Sequence, residues 1–191
     1  MARSRDISKV LSSNSTLATD AEVASTYQTK ASAGLILLHS ADLSGITTVN
    51  IDSIFSATYR TYKLILTGKI STGDADVYIK FRKAGVTTTD SNYNRQYLHA
   101  SGTTGSGLLT GQSFARLGNI GTSQSGFEAM IYSPFLSEST ATYGQSGTST
   151  NTSNIRIEAF THTTAESYDG IQLAPTSNAF TGRLTIFGVN Q

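Results

Sequence analysis

Residues 76–83 have the sequence DVYIKFRK, and this stretch decides the expected fold. Apolar residues occupy every second position from Val77 to Phe81, and the positions that alternate with them carry Tyr78, Lys80 and Arg82. Successive side chains of a β-strand point to opposite faces of its sheet. The alternation therefore predicts a strand with one face buried in a core and one face in water.

The same alternation of period two recurs at residues 155–159. Ile155 and Ile157 alternate there with Arg156 and Glu158. The pattern predicts a second half-buried strand, with the isoleucines on its core side and the charged residues on its wet side.

Short segments of this kind follow one another from Gly34 onward, separated by clusters of Gly, Ser, Thr, Asn and Asp. This spacing favours an all-β, antiparallel β-sandwich over residues 34–191, and about ten strands in such a length match a jelly-roll-like architecture. Two stretches rich in Ser, Gly and Thr, residues 101–113 and 144–154, are predicted loops. The predicted strands are 35–39, 46–51, 59–70, 76–83, 92–99, 126–132, 140–144, 155–161, 170–173 and 183–189.

Residues 1–33 differ from the rest, because their large apolar residues are spread too thinly to form a core. They are predicted to form an extended arm that precedes the sandwich and is held by a partner chain. The alternative is that the segment folds back on its own domain. Thr19 is followed by Asp20 and Glu22, a combination typical of a helix start, and one or two helical turns are expected after it.

The composition excludes several classes of protein. There are 14 basic and 13 acidic residues in 191, giving a net charge of +1, so the diffuse positive field that nucleic-acid binding requires is missing. No cysteine is present, which excludes a disulfide framework and a thiolate metal site. The most apolar run, residues 34–39, is too short to span a bilayer, so no membrane insertion is expected.

Motifs for catalysis and cofactor binding are also missing from the sequence. His39, His99 and His162 show no metal-binding spacing, and each adjoins a predicted strand, where a hydrogen-bonded imidazole is the ordinary role. The pair Asp74 and Asp76 lacks the rest of a calcium loop and fits a solvated hairpin turn. The sequence predicts that the protein is not an enzyme and uses no cofactor.

Nine tyrosines accompany eight phenylalanines, while tryptophan is absent. Tyr93, Tyr97 and Tyr143 fall at or beside predicted loop ends, where aromatic rings can stack on sugars or on a partner protein. These three are the candidate glycan-stacking residues. The alternative is that tyrosine simply suits the strands of a sandwich.

The first 31 residues, MARSRDISKVLSSNSTLATDAEVASTYQTKA, resemble the N-terminal leader of virion structural proteins from tailed bacteriophages, particularly those of cyanobacteria and other marine bacteria. The segments RDISKVL and TLATDAEV carry this resemblance. The body, with YRTYKLILTGKISTGDADVYIKFRKAG, NYNRQYLHASG and TGRLTIFGVN, is similar in style to small jelly-roll modules of phage surface proteins. The resemblance implies a virion-anchoring role for Arg3, Arg5, Asp6, Ile7, Lys9, Val10 and Leu11, and it brings no catalytic residue.

The resemblance also implies a function. The expected protein is a capsid decoration or cement subunit that is assembled in the bacterial cytoplasm and lies on the virion surface as a homotrimer. Its expected partners are other virion proteins, either the major capsid protein or tail proteins. The alternative is a short tail fibre or fibre adaptor that binds a host surface glycan.

Overall fold

The computed structural model describes residues 34–100, 104–149 and 153–190. The chain divides into two units, Met1–Gly34 and Leu35–Gln191, and every described core residue belongs to the second unit. The described residues form strands, turns and bends, with no helix among them. The strands are β1 (Gly34–Ile46), β2 (Val49–Ile51), β3 (Thr61–Ile70), β4 (Ala75–Lys83), β5 (Val86–Thr87), β6 (Tyr93–Ala100), β7 (Thr104–Gln112), β8 (Ala115–Ile120), β9 (Ser125–Tyr132), β10 (Thr140–Ser149), β11 (Ser153–His162), β12 (Gly170–Pro175) and β13 (Phe180–Asn190).

These strands form two sheets that pack face to face. The larger sheet has eight strands in the order β1-β13-β3-β9-β10-β11-β6-β7. The smaller sheet has the order β2-β12-β4-β5, and β8 also pairs with β4. All pairings from β2 to β13 are antiparallel. The chain is therefore an antiparallel β-sandwich, as the sequence predicts.

One hydrophobic core lies between the two sheets and takes side chains from both. Leu64 and Leu66 of β3 enter it from the larger sheet, and Ile79 of β4 enters it from the smaller sheet. The Phe81 ring packs 6.0 Å from Tyr93 and 5.0 Å from Tyr168, measured between ring centroids. Stacked aromatic rings at such separations add to the stability that comes from burial.

The alternation predicted at residues 76–83 is confirmed except at Arg82. Val77, Ile79 and Phe81 are buried, while Tyr78 and Lys80 are partly exposed on the other side of β4. Arg82, expected on the wet side, is only 6% exposed, because it forms an ion pair with Asp52 and a hydrogen bond with Thr87.

The predicted arm, residues 1–33, and the helical turns within it lie outside the described residues. So do all seven candidate anchoring residues, Arg3, Arg5, Asp6, Ile7, Lys9, Val10 and Leu11. The resemblance of residues 1–31 to the leaders of virion proteins stays a prediction.

The two predicted loops are wrong over most of their length. Residues 104–112 form β7, and the stretch 144–154 is taken up by the hairpin of β10 and β11 apart from residues 150–152. The glycines of β7 do not interrupt the strand. Ring side chains of the neighbouring strand β6 occupy the space above them that a side chain would otherwise fill. A Cβ built on Gly107 would lie 2.8 Å from the ring of Tyr97, its partner across the strands.

Candidate interaction surface

The alternation of β11 runs in the opposite sense to the prediction. Ile155 and Ile157 point outward and are 63% and 37% exposed, whereas Glu158 points inward and is 1% exposed. Arg156 shares the inward side with Glu158, as do Phe160 and His162 further along the strand. This corrects the prediction that the isoleucines of this strand face the core.

A buried ionic cluster explains the inversion. Arg95 of β6 donates two hydrogen bonds to the Glu158 carboxylate, from Nε to Oε2 and from Nη2 to Oε1, each 2.8 Å long. Arg116 Nε and Arg156 Nη1 lie 3.7 and 3.8 Å from Oε1. A carboxylate is tolerated in a protein interior when it is paired and hydrogen-bonded. Arg95 supplies both hydrogen bonds here, and Arg116 and Arg156 add positive charge at ion-pair distance.

Burial affects the protonation of this cluster. Desolvation raises the pKa of Glu158, and the hydrogen bonds and charges of its arginines act against that rise. Desolvation lowers the pKa of Arg116 to about 10, although Arg116 also pairs with Asp76 of β4. The cluster joins β6 and β11 of the larger sheet to β4 and β8 of the smaller one, so it fixes which side of β11 faces inward.

The outward side of four neighbouring strands, β10, β11, β6 and β7, forms a surface that we call the apolar face. Its most exposed aliphatic side chains are Leu98, Leu108, Ile155 and Ile157. None of the described residues at its outward positions carries a charge. These positions hold Ala141, Tyr143, Gln145 and Gly147 on β10, Ile155, Ile157, Ala159 and Thr161 on β11, Asn94, Gln96, Leu98 and Ala100 on β6, and Thr104, Ser106 and Leu108 on β7.

The aliphatic side chains of the apolar face are contiguous. Ile157 pairs directly with Leu98 across β11 and β6, and Ile155 and Leu108 lie on diagonals from Leu98. Side chains at such positions are within contact distance of one another. A shallow open groove of about 490 Å³ runs between Leu98, Leu108 and Ile157, and a smaller one of about 170 Å³ lies beside Ile155.

The other half of the same outer surface is different in character. On β3 and β9, Lys63 forms an ion pair with Glu128, with Nζ and Oε2 2.8 Å apart. On β13, Arg183 pairs with Asp42 of β1 at 3.1 Å. Charged residues are therefore used where this sheet faces water, and they are missing from the part made by β10, β11, β6 and β7.

The three candidate stacking tyrosines do not share one site. Tyr93 is fully buried, and its hydroxyl accepts a hydrogen bond of 2.9 Å from the backbone N–H of Phe81. Burial raises its pKa to about 12. A buried ring cannot stack on a sugar, so the prediction for Tyr93 is wrong.

Tyr97 and Tyr143 have different surroundings. Tyr97 is half-buried, and the guanidinium carbon of Arg95 lies 4.3 Å from the centre of its ring. Tyr143 is 44% exposed and lies on the apolar face, where it pairs across the strands with Ala159, a residue that lines the larger groove. Of the three, Tyr143 has the most accessible ring.

A second buried polar group involves His162. Its Nδ1 lies 3.0 Å from the Tyr168 hydroxyl, and its Nε2 lies 3.1 Å from Asp90 Oδ2. Desolvation pushes the pKa of Asp90 upward, but hydrogen bonds, first of all from His162, leave it below its ordinary value. His162 and Tyr168 are fully buried, and burial raises the pKa of Tyr168. This arrangement ties β11 to the segment before β12.

Within residues 34–100, 104–149 and 153–190, no group of three His, Asp or Glu side chains is placed to hold a metal ion. The same residues include no helix with the length and hydropathy that crossing a membrane requires.

Sequence reasoning did not identify the apolar face. Leu108 fell within a predicted loop, and the isoleucines of β11 were assigned to the core. A signal was available, because an alternating strand places Glu158 and Phe160 on the same side and must therefore either bury the charged residue or expose the phenylalanine.

No protein-family model and no curated protein matches this chain. Solved structures are similar to it at low scores. The galectin LEC-6 of Caenorhabditis elegans shares 14% identity with a TM-score of 0.39, over 77% of this chain and 94% of that one. A protein of Bacillus endospore appendages, described as disulfide-linked pili, shares 15% identity with a TM-score of 0.28, over 83% and 90%. Lactose-liganded congerin II shares 11% with a TM-score of 0.30, over 72% and 98%. The fold described above rests on the strand pairing of the chain itself.

Proposed function

We propose that this chain is a non-enzymatic structural protein of a tailed-bacteriophage virion, a capsid decoration or cement subunit on the particle surface. The observation that carries the proposal is the apolar face, because contiguous exposed aliphatic side chains without charge mark a surface that another protein covers. A subunit that assembles into a particle by contacts alone needs such a surface, whether a second copy or another virion protein covers it.

Two parts of this proposal, the phage origin of the protein and its attachment to the particle by an arm, rest on the sequence of residues 1–33. Their resemblance to virion leaders supports an anchoring arm, with a short helical segment, in which Arg3, Arg5 and Lys9 pair with acidic groups. Ile7, Val10 and Leu11 supply its apolar contacts. The proposal includes a jelly-roll-like body that projects from the particle as part of a homotrimer.

The proposed partners are the major capsid protein or tail proteins, and the proposed site of assembly is the cytoplasm of the bacterial host. The proposal assigns no cofactor, catalytic residue or nucleic-acid site.

Gold-labelled antibody against this protein, applied to intact particles in the electron microscope, tests the proposal. Label spread over the head is the expected result. Label confined to the tail would overturn the decoration role in favour of a fibre or adaptor. Particles that carry no label would overturn a place on the virion surface altogether.

The second candidate is a short tail fibre or fibre adaptor that binds host surface glycan. The exposed ring of Tyr143 beside the 490 Å³ groove favours it, since saccharides stack on exposed aromatic rings. A glycan array with the wild-type chain and the Tyr143→Ala variant tests this candidate. Tyr78→Ala is the matched control, because Tyr78 packs on Phe114 and lies on the other sheet. Binding lost in the first variant alone would support it.

A further inference from the structure

The apolar face lacks a cover among the described residues. Leu108 is 67% exposed, Ile155 63% and Leu98 53%, although all three are aliphatic. Together with Ile157 they present on the order of a few hundred Å² of contiguous apolar surface, the size at which patches on soluble proteins usually mark interaction sites. The chemistry of the face decides what kind of partner it fits.

The absence of charged residues from the apolar face is the first observation that indicates its partner. Interfaces between proteins that meet transiently are about as polar as ordinary surface and carry charged rims that orient the two partners. Interfaces of permanent homo-oligomers are more apolar and are depleted of charge at their centre. The fifteen outward positions described above hold no charged residue, so the face belongs to the second class.

The outer edge of strand β7 is the second observation that indicates the partner of the apolar face. It is the last strand of the eight-stranded sheet, so the backbone groups along its outer edge are free of pairing within that sheet. Natural edge strands are commonly protected by lysine, proline or inward-pointing charge, and β7 contains none of these. Its one irregularity is a register shift towards Gln112, which leaves Thr104–Leu109 regular. An edge of this kind pairs readily with another strand.

We propose that the apolar face binds a second copy of this chain, with Leu98, Leu108, Ile155 and Ile157 at the centre of the contact. This inference rests on the proposed function, because the homotrimer proposed there needs a contact between subunits and the apolar face supplies that contact.

A second copy fits better than an unrelated protein for a physical reason. An apolar face of this size invites aggregation unless it is covered soon after folding. Another copy is the partner that is made in the same place, at the same time and in equal amount. A copy also presents the same uncharged chemistry, so the contact brings no unpaired charge into a dry interface.

Light scattering of the purified full-length chain tests the proposal. The wild type is expected to form an oligomer at micromolar concentration. Leu98→Glu and Ile157→Glu each place a charge in the centre of the contact, and we expect at least a tenfold weaker association, so that each variant has the mass of a monomer. Both positions are exposed, so circular dichroism should show an unchanged fold.

Val86→Glu is the matched control. Val86 is 68% exposed on β5 of the smaller sheet, far in the strand order from the apolar face. This variant should associate like the wild type.

A monomeric wild type would overturn the proposal, and so would Leu98→Glu and Ile157→Glu variants that keep the wild-type mass. A monomer in which the backbone amides on the outer edge of β7 are nevertheless protected from hydrogen exchange would overturn the proposal and assign the cover of that edge to another segment of the same chain. These outcomes are independent of the particle labelling. A monomer with label on the head overturns this inference and the homotrimer but leaves the decoration role, and an oligomer with no label on particles overturns the virion role alone.

Discussion

Gly68 and Gly182 lie directly opposite each other across β3 and β13. The Phe180 ring covers both, since a Cβ built on either glycine would lie within 2.7 Å of its Cζ atom. A Cβ on Gly182 would also overlap the carbonyl oxygen of Thr67, which belongs to the backbone and has little room to move. The pair therefore exists because two strands and a core ring approach more closely than any side chain allows.

Gly182→Ala should destabilise the sandwich by about 3 kcal/mol, because the added methyl group forces the strands or the Phe180 ring apart. Urea unfolding followed by circular dichroism measures the change. Gly126→Ala is the control, since Gly126 of β9 has open space where its Cβ would lie. That variant should be neutral or up to about 1 kcal/mol more stable, because alanine loses less entropy on folding than glycine. Equal stability of the two variants would contradict the packing argument.

Glu158→Gln should cost about 3 kcal/mol of unfolding free energy, since it leaves the charge of Arg95 buried without its carboxylate. Glu128→Gln removes a carboxylate from an ion pair whose glutamate side chain is 43% exposed, and its cost should stay below about 1 kcal/mol. The same urea experiment compares the two. A Glu158→Gln variant as stable as Glu128→Gln would show that the buried cluster does not hold β11 in its observed orientation.

The pair of Asp52 and Arg82 predicts a dependence of stability on pH. Hydrogen bonds from Arg82, at 2.7 and 3.2 Å, hold the pKa of Asp52 below its ordinary value of 3.8. An acid whose pKa is lowered by folding stabilises the native state above its unfolded pKa, and this contribution disappears as the pH falls through the folded pKa. Asp52→Asn should therefore be less stable than the wild type at pH 7, and equally stable near pH 2.

The size of that difference at pH 7 should be about 1 kcal/mol, because the Asp52 side chain is 43% exposed and solvent weakens the pair. Urea unfolding at pH 7, 5, 3.5 and 2 follows it. Asp42→Asn is the control, since Asp42 is 80% exposed in its pair with Arg183 and should contribute little at any pH. A difference between wild type and Asp52→Asn that stays constant down to pH 2 would refute the linkage.

Deleting residues 1–31 should leave a folded sandwich, since the described core runs from Leu43 to Ile186. Circular dichroism should keep its β spectrum, and the melting transition should stay cooperative. Incorporation into particles, measured by complementation of a phage that lacks the gene, should be lost. A truncated chain that unfolds would show that the arm is part of the fold and does not serve attachment alone.

The fold class could be predicted from sequence because β4 and β3 follow the simple rule, with apolar residues inward and polar residues outward. Val77 and Leu64 are buried where the alternation places them. The rule fails at β11, where the charged residue is paired inside and the apolar residues are outside. Pairing with Arg95 depends on a strand that is 63 residues away in the chain, and no local pattern contains that information.

The apolar face could not be predicted from the sequence for a related reason. Strand β7 has the composition of a loop, and it becomes a strand because Tyr97 and His99 of β6 lie over Gly107 and Gly105. Loop prediction weighs each residue by its own preference, whereas strand formation here depends on the neighbouring strand. Once β7 is placed beside β6, Leu108 joins Leu98 on one surface.

All members of the buried ionic cluster, from Arg95 to Glu158, come from one chain. The charged interior is therefore satisfied within one polypeptide, and only the apolar face is proposed to need a second copy. If the apolar face binds a second copy as proposed, the oligomer forms in two kinetic steps: a folding step whose rate is independent of protein concentration, and an association step whose rate rises with protein concentration.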